Sequence, residues 1–539
     1  MVKAAVRSET SSPEGRSAPA RGGPAAGARL SSRPGFALYA RFARALRPGS
    51  ALDARLARAL RPAFCAVSVI LSFVVLGCGS DGPPPKDAPG SARGQTLESA
   101  FLDTLEERTF RYFWELSDSR TGLTPDRWPT KSFVSIAATG FALTAYPIGA
   151  ERGYVTRSEA AERVLATLDF LWALPQDSLS SDAGGFHGFF YHFLEPETGH
   201  RFADVELSTQ DTALLMAGVL FCGTYFDGKD AVEESIRASA DRLFARVDWR
   251  WAQARPPLVS HGYTPEEGFL PYDWAGYNES MLLPILALGS PAHPIGADAW
   301  QAWTAPCRWG TFHGQEHVGF APLFGHQYTH CWIDLRGIRD AFMRDRGIDY
   351  FENSRRATLA QHAYAIENPG GWRGYGEHLW GLTACDGPVD STIEIDGRER
   401  RFHTYMARGA SFTEVQDDGT VAPTAAAASI VFTPEIVIPA LLSMRQTYGE
   451  HLFSRYGFVD AFNPTLRAET RVQHGRVVAG AGWFDTDYLG IDQGPILIMI
   501  ENHRSGFVWE VMRRNPVVVA GLRAAGFAGG WLDSAAVAP

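Results

Sequence analysis

An excess of positive charge is absent from this sequence. Lys and Arg total 50 against 60 Asp and Glu, a formal net charge of -10 over 539 residues. Phosphate backbones are gripped by clustered cations, so nucleic acid is excluded as a partner. Long apolar runs are also missing. Ala63–Gly77 is too short for a comfortable bilayer span, and no second run is long enough. There is no glycine-rich phosphate loop of the P-loop or dinucleotide type and no βαβ alternation, which leaves nucleotide chemistry unsupported. No Gly-x-Ser-x-Gly elbow occurs, so a serine esterase is unsupported too. Cysteine is sparse, with six in all: Cys65, Cys78, Cys222, Cys307, Cys331 and Cys385. The last four lack close metal-type spacing. Disulfides and buried free thiols both stay open for them.

Aromatic residues are plentiful, at 12% with 15 Trp. Flat aromatic faces suit sugar rings, and a large core would use the same residues. The N-terminal 62 residues are rich in Ala, Arg, Gly, Pro and Ser without a structural period. They read as a disordered extension or as sequence translated upstream of the true start. Residues 63–78 then read as an export signal: Arg58 and Arg61, a short apolar run, and Val75-Leu76-Gly77-Cys78 in the form of a bacterial lipobox. Cys78 is the expected lipidation site, which places the protein on the periplasmic or outer face of a membrane through its anchor alone. Residues 79–95, with Pro83-Pro84-Pro85, read as a tether.

Residues 96–535 alternate amphipathic helices with loops rich in Gly and aromatics. Leu97, Phe101, Leu105 and Tyr112 share one face of a helix over Thr96–Leu116. Thr156 and Glu159 form a capping box ahead of the next stripe. Further helices are expected over Leu207–Phe226, Ala231–Val247, Tyr277–Leu288, His330–Arg346, Glu352–Asn368, Pro434–Tyr448, Gly494–His503 and Asn515–Ala525. Strand signals are few, with Thr392–Phe402 and Val472–Val478 as small hairpins. The pattern predicts an all-α fold of helical hairpins closed into a ring, and no fixed-period repeat supports a solenoid.

Glycosidic bonds are cleaved by two carboxylic acids, so the candidates are acids in Gly/aromatic loops or at helix starts. Glu279 follows Trp274-Ala275-Gly276-Tyr277-Asn278 and precedes an apolar run. Poor solvation there would raise its pKa and keep it protonated as an acid; a helix-start glutamate facing the dipole is the plainer alternative. Asp460, inside Tyr456-Gly457-Phe458-Val459-Asp460-Ala461-Phe462-Asn463, is either the base or a turn residue. Asp211, Asp386 and Asp492 are caps or sugar-holding groups. Glu206, Trp274, Tyr277 and Trp380 complete the substrate-binding candidates. His326, His330 and Asp334, spaced by four, would share one helix face and invite a metal reading. Sugar contact or structural hydrogen bonding is favoured for His326 and His330, because no Glu completes a zincin pattern.

Taken in order, several segments resemble one family. They are Gly122–Arg127, Ser135–Phe141, Gly149–Tyr154, Ser208–Leu215, Gly276–Glu279, Ala287–Pro294, Phe324–Ile338, Asp349–Arg356, Trp380–Pro388, Asp417–Thr420, Tyr456–Asn463 and Asp487–Pro495. From about Leu97 to Leu532 the chain is similar to the glycoamylase-like domain family, which includes bacterial endo-β-1,2-glucanases of glycoside hydrolase family 144. The resemblance implies an (α/α)6 barrel that hydrolyses β-1,2-glucan with inversion and without metal; a monomer with no cofactor is expected. It places Glu279 as general acid, Asp460 as base and Asp211 as a cleft acid. Here Ser208-Thr209-Gln210 stands where the glucanases carry further acids just before Asp211, which bears on linkage specificity. Action on another glucan, transglycosylation and non-catalytic glycan binding are the alternatives.

Overall fold

The computed structural model describes residues 96–535 apart from 179 and 181. The extension 1–62, the signal 63–78 with Cys78, and the tether 79–95 lie outside the described residues. The helices are α1 Leu97–Leu116, α2 Ile136–Glu151, α3 Arg157–Ala173, α4 Thr209–Tyr225 and α5 Ala231–Arg246. A 3-10 turn, Glu279–Met281, leads into α6 Leu282–Leu288. Then come α7 Asp298–Thr304, α8 Tyr328–Trp332, α9 Ala341–Arg344, α10 Tyr350–Glu367, α11 Pro423–Ala427 and α12 Pro434–Tyr448. The last are α13 Gly490–Arg504, α14 Phe507–Met512, α15 Pro516–Ala524 and α16 Gly530–Ser534. Among the described residues no helix is long and apolar enough to cross a membrane.

Two kinds of helix alternate. Helices α1, α3, α5 and α12 bury one stripe, as their periodic sequences require. Helix α2 is buried except for Ala150 and Glu151, α4 except for Gly223 and Thr224, and α6 throughout. A helix apolar all round has no period to read, which is why α2 escapes a periodicity search. Small residues let these inner helices touch. A Cβ on Gly140 of α2 would lie 2.5 Å from the Leu214 carbonyl oxygen of α4, and one on Gly494 of α13 would lie 2.1 Å from the Phe141 ring. Gly140→Ala must therefore push α2 and α4 apart. It should cost about 1–3 kcal/mol, the usual range for overpacking, read as a lower thermal midpoint.

Strand is more common than the sequence suggests, in pieces of two to five residues. Pieces this short carry no alternation. The hairpin over 391–402 is present with Ser391 opposite Phe402, while Arg476–Val478 pairs with Gly482–Phe484 and not within 472–478. Several two-residue strands stitch helix starts together. Arg127–Trp128 pairs with Tyr488–Leu489 ahead of α13, Val134–Ser135 with Phe193–Leu194 ahead of α2, and Leu207–Ser208 with Gly262–Thr264 ahead of α4. The expected helix over His330–Arg346 is not formed. Helix α8 ends at Trp332, Ile333 is extended, and the chain turns at Arg336–Gly337 before α9. The four cysteines among the described residues are free.

Candidate active site

The starts of the inner helices carry a continuous set of acids. Ser208 caps α4, accepting from the Asp211 N–H at 3.1 Å while its hydroxyl donates to Asp211 Oδ2. Asn278 caps the turn holding Glu279. Gln210 Nε2 donates to the Glu279 carbonyl oxygen at 2.9 Å, tying that turn to α4. Glu279 is buried, and desolvation first, then the Asp211 charge, push its pKa up to about 7. Beyond Asp211 stands His192. Its Nε2 is 3.5 Å from Asp211 Oδ1, and its Nδ1 is 2.9 Å from Glu206 Oε1.

A second group gathers around Arg127, buried with its partners. Its Nη1 lies 2.6 Å from Asp386 Oδ2 and 3.6 Å from Asp487 Oδ2, and its Nε lies 3.2 Å from Asp126 Oδ2. The Asp386 N–H donates to Asp460 Oδ2 at 2.7 Å. Burial, then the charges of Asp492 and Asp386, push the Asp460 carboxyl well above the usual range, and burial lifts Asp492 up to about 7. Asp460 Oδ1 and Asp492 Oδ2 find no N–H or O–H donor among the described residues. Burial, then Asp386 and Asp460, also raise Asp485. The two groups approach each other twice. Asp126 adds to the charges favouring the His192 cation, and the Tyr328 phenol is raised by burial with contributions from Asp492 and Glu279.

One carboxylate oxygen each from Asp386, Asp460 and Asp485 lie within 4.8 Å of one another, a spacing a divalent ion would accept. The Arg127 guanidinium already supplies a cation on the Asp386 side.

Of the residues singled out in the sequence, Glu279, Asp211 and Glu206 come together, as do Asp460, Asp386 and Asp492. The aromatic candidates do not present open faces. Trp274 is buried, its Nε1–H donating to Thr209 Oγ1 at 3.0 Å and its ring stacked on His261 at 3.7 Å. Tyr277 is buried against His326 and Ser354, and Trp380 is fully enclosed beside His362. Half-buried rings beside the acids are Trp128, Phe193 and Tyr405. His326 and His330 do not form a ligand face with Asp334. His326 Nε2 meets the Phe320 carbonyl oxygen at 3.1 Å, and His330 Nε2 meets Ser354 Oγ at 3.2 Å. Asp334 pairs with Arg336 and Arg513 beyond the end of the helix. Burial pushes both histidines down to about 3, so they stay neutral.

Sequence reasoning passed over Arg127, Asp126, His192, Asp485 and Asp487 as site residues. A signal existed for some: Asp485-Thr486-Asp487 is an acidic loop ahead of a buried helix, the same pattern that marks Asp211. For His192 the signal was its place after the glycine–aromatic loop Gly184–Tyr191. A separate recess at the other ends of α2 and α4, between Glu151, Tyr225 and Phe507, is crossed by Arg157, which Glu233 holds at 2.7 Å.

The family profile described as "Putative glucoamylase" matches residues 271–516. A solved structure from Bacteroides caccae with the same description is 32% identical, covering 80% of this chain and 100% of that one, with a TM-score of 0.68. An endo-beta-1,2-glucanase from Chitinophaga pinensis, in complex with sophorotriose and glucose, is 28% identical over 81% of this chain and 100% of that one, with a TM-score of 0.69. An exo beta-1,2-glucooligosaccharide sophorohydrolase (non-reducing end) from Parabacteroides distasonis is 29% identical over 460 residues. That match takes in 79% of this chain but only 58% of the relative. With helix-rich architecture, acids at the inner helix starts and these likenesses together, the chain belongs to the glycoamylase-like family.

Proposed function

We propose that this protein hydrolyses β-1,2-linked glucan or its sophoro-oligosaccharides, with Glu279 as proton donor and Asp460 as base. The observation that carries the reading is the state of Glu279. A carboxyl held protonated to about pH 7 by burial and by Asp211 is fitted to protonate a leaving glycosidic oxygen. The named activities of the Chitinophaga and Parabacteroides relatives support the linkage.

As base Asp460 must act in its ionised form, with the Asp386 N–H donating to its Oδ2 and Arg127 holding Asp386 in turn. Asp460→Asn keeps an oxygen for the Asp386 N–H. It should leave the thermal midpoint near wild type and lower kcat by roughly 10²-fold or more. The deciding experiment incubates the protein with linear β-1,2-glucan and follows products by mass spectrometry. Sophoro-oligosaccharides are expected, and NMR of the nascent reducing end should show inversion to the α-anomer. Turnover of starch with none of β-1,2-glucan would overturn the linkage, and longer or cyclic products would indicate transfer.

In this reading the enclosed helices form the inner layer of an (α/α)6 barrel, supported by their alternation with one-sided helices. The export signal makes the enzyme a lipoprotein anchored at Cys78, supported by Val75-Leu76-Gly77-Cys78. Cys78→Ser should lose incorporated fatty acid and leave the membrane fraction. Unchanged membrane retention would remove the anchor.

A further inference from the structure

His192 is placed as a bridge. Its backbone N–H donates to the Glu206 carbonyl oxygen at 2.9 Å, and its carbonyl oxygen accepts from the Ile136 N–H at 3.4 Å, so backbone bonds on both sides fix its position. The ring stacks on Phe193, centroids 4.0 Å apart. One ring nitrogen faces Glu206 and the other Asp211. An imidazole between two buried carboxylates satisfies both only as a cation, donating from each nitrogen. Asp211 is then engaged on both oxygens, by His192 and by the Ser208 hydroxyl. A carboxylate so engaged is held in one orientation.

We propose that His192 is a positioning residue for the acid: clamped between Glu206 and Asp211, it fixes Asp211 as a carboxylate beside Glu279. This rests on the hydrolase reading above. The charged groups facing His192 are Glu206, Asp211 and Asp126, which together outweigh burial and raise it to about 9. Arg127 pairs with Asp126. Glu279 in turn feels Asp211, and the imidazolium acts on it through that residue. Without the cation, Asp211 and Glu206 are two buried acids with one donor fewer, and Asp211 loses the partner that holds its Oδ1 in place. Glu279 then loses the negative neighbour that helps to hold its proton. Its pKa falls, and the alkaline limb of kcat/KM moves to lower pH.

The test uses the full-length protein acting on linear β-1,2-glucan. In His192→Gln the alkaline limb should move down in the same direction as in Asp211→Asn. His192→Lys, which restores a cation, should return it towards wild type. In an Asp211→Asn background, His192→Gln should move the limb no further. A limb that stays put in His192→Gln, or shifts that add in the double variant, would overturn the assignment. Nitrogen-15 NMR of the wild-type imidazole needs no substrate and no variant that folds. Both His192 nitrogens should be protonated at pH 7 to 8, and a neutral ring there would sink the idea. If wild type turns over no glucan but the ring is cationic, the substrate reading fails and the clamp stands.

Discussion

Glu279→Gln is expected to lower kcat on β-1,2-glucan by roughly 10²–10⁴-fold, the usual worth of a positioned proton donor. At ~1.36 kcal/mol per decade this is about 3–5 kcal/mol of lost transition-state stabilisation. Gln keeps the shape and the backbone acceptor for Gln210, so the fold should hold and the loss should fall on kcat and not on KM. The pH dependence has a definite sign. A general acid works in its protonated form, and Glu279 releases its proton at about 7. Wild-type kcat/KM should therefore fall as pH rises through about 7, and the residual activity of the variant should lack that limb. Activity close to wild type would remove Glu279 from the chemistry.

The largest effect on stability is expected at Arg127. Its guanidinium faces Asp386, Asp487 and Asp126, all buried. Arg127→Ala leaves three carboxylates without their shared cation. Breaking a buried ion pair from one side costs about 3–5 kcal/mol. The deficit should be widest at neutral pH and narrow as the pH falls, because the orphaned carboxylates then take up protons. Thermal midpoints of both proteins across pH 4–8 read this directly. A deficit independent of pH would mean that Arg127 acts through packing alone.

The local half of this site can be read along the chain. Thr156 and Glu159 form the expected capping box, α12 starts and ends where its stripe does, and Asp211 stands at the head of a helix. Glu279 follows a Gly-aromatic loop into an apolar run, which is enough to expect poor solvation. What the chain order left open has one physical source. Trp274, Tyr277 and Trp380 are large rings in acid-bearing loops, and nothing local says whether such a ring faces a cleft or the interior. The spacing of His326, His330 and Asp334 fits one helix face, yet tertiary packing ends that helix at Trp332.

By itself the sequence determined the helical class, most one-sided helices, and the acids at helix starts, because caps, stripes and turn residues act within a few positions. It also carried Glu279, whose place between a Gly-aromatic loop and an apolar run is enough to expect burial. Only the tertiary structure decided the company the acids keep. Arg127 meets Asp386 across 259 positions, and His192 faces Glu206 and Asp211 from a separate bend. Proton affinity in a buried cluster depends on burial and on every charge within a few ångströms. Both are properties of the packed chain, so which acid holds a proton and which stays a carboxylate was settled only when the inner helices met.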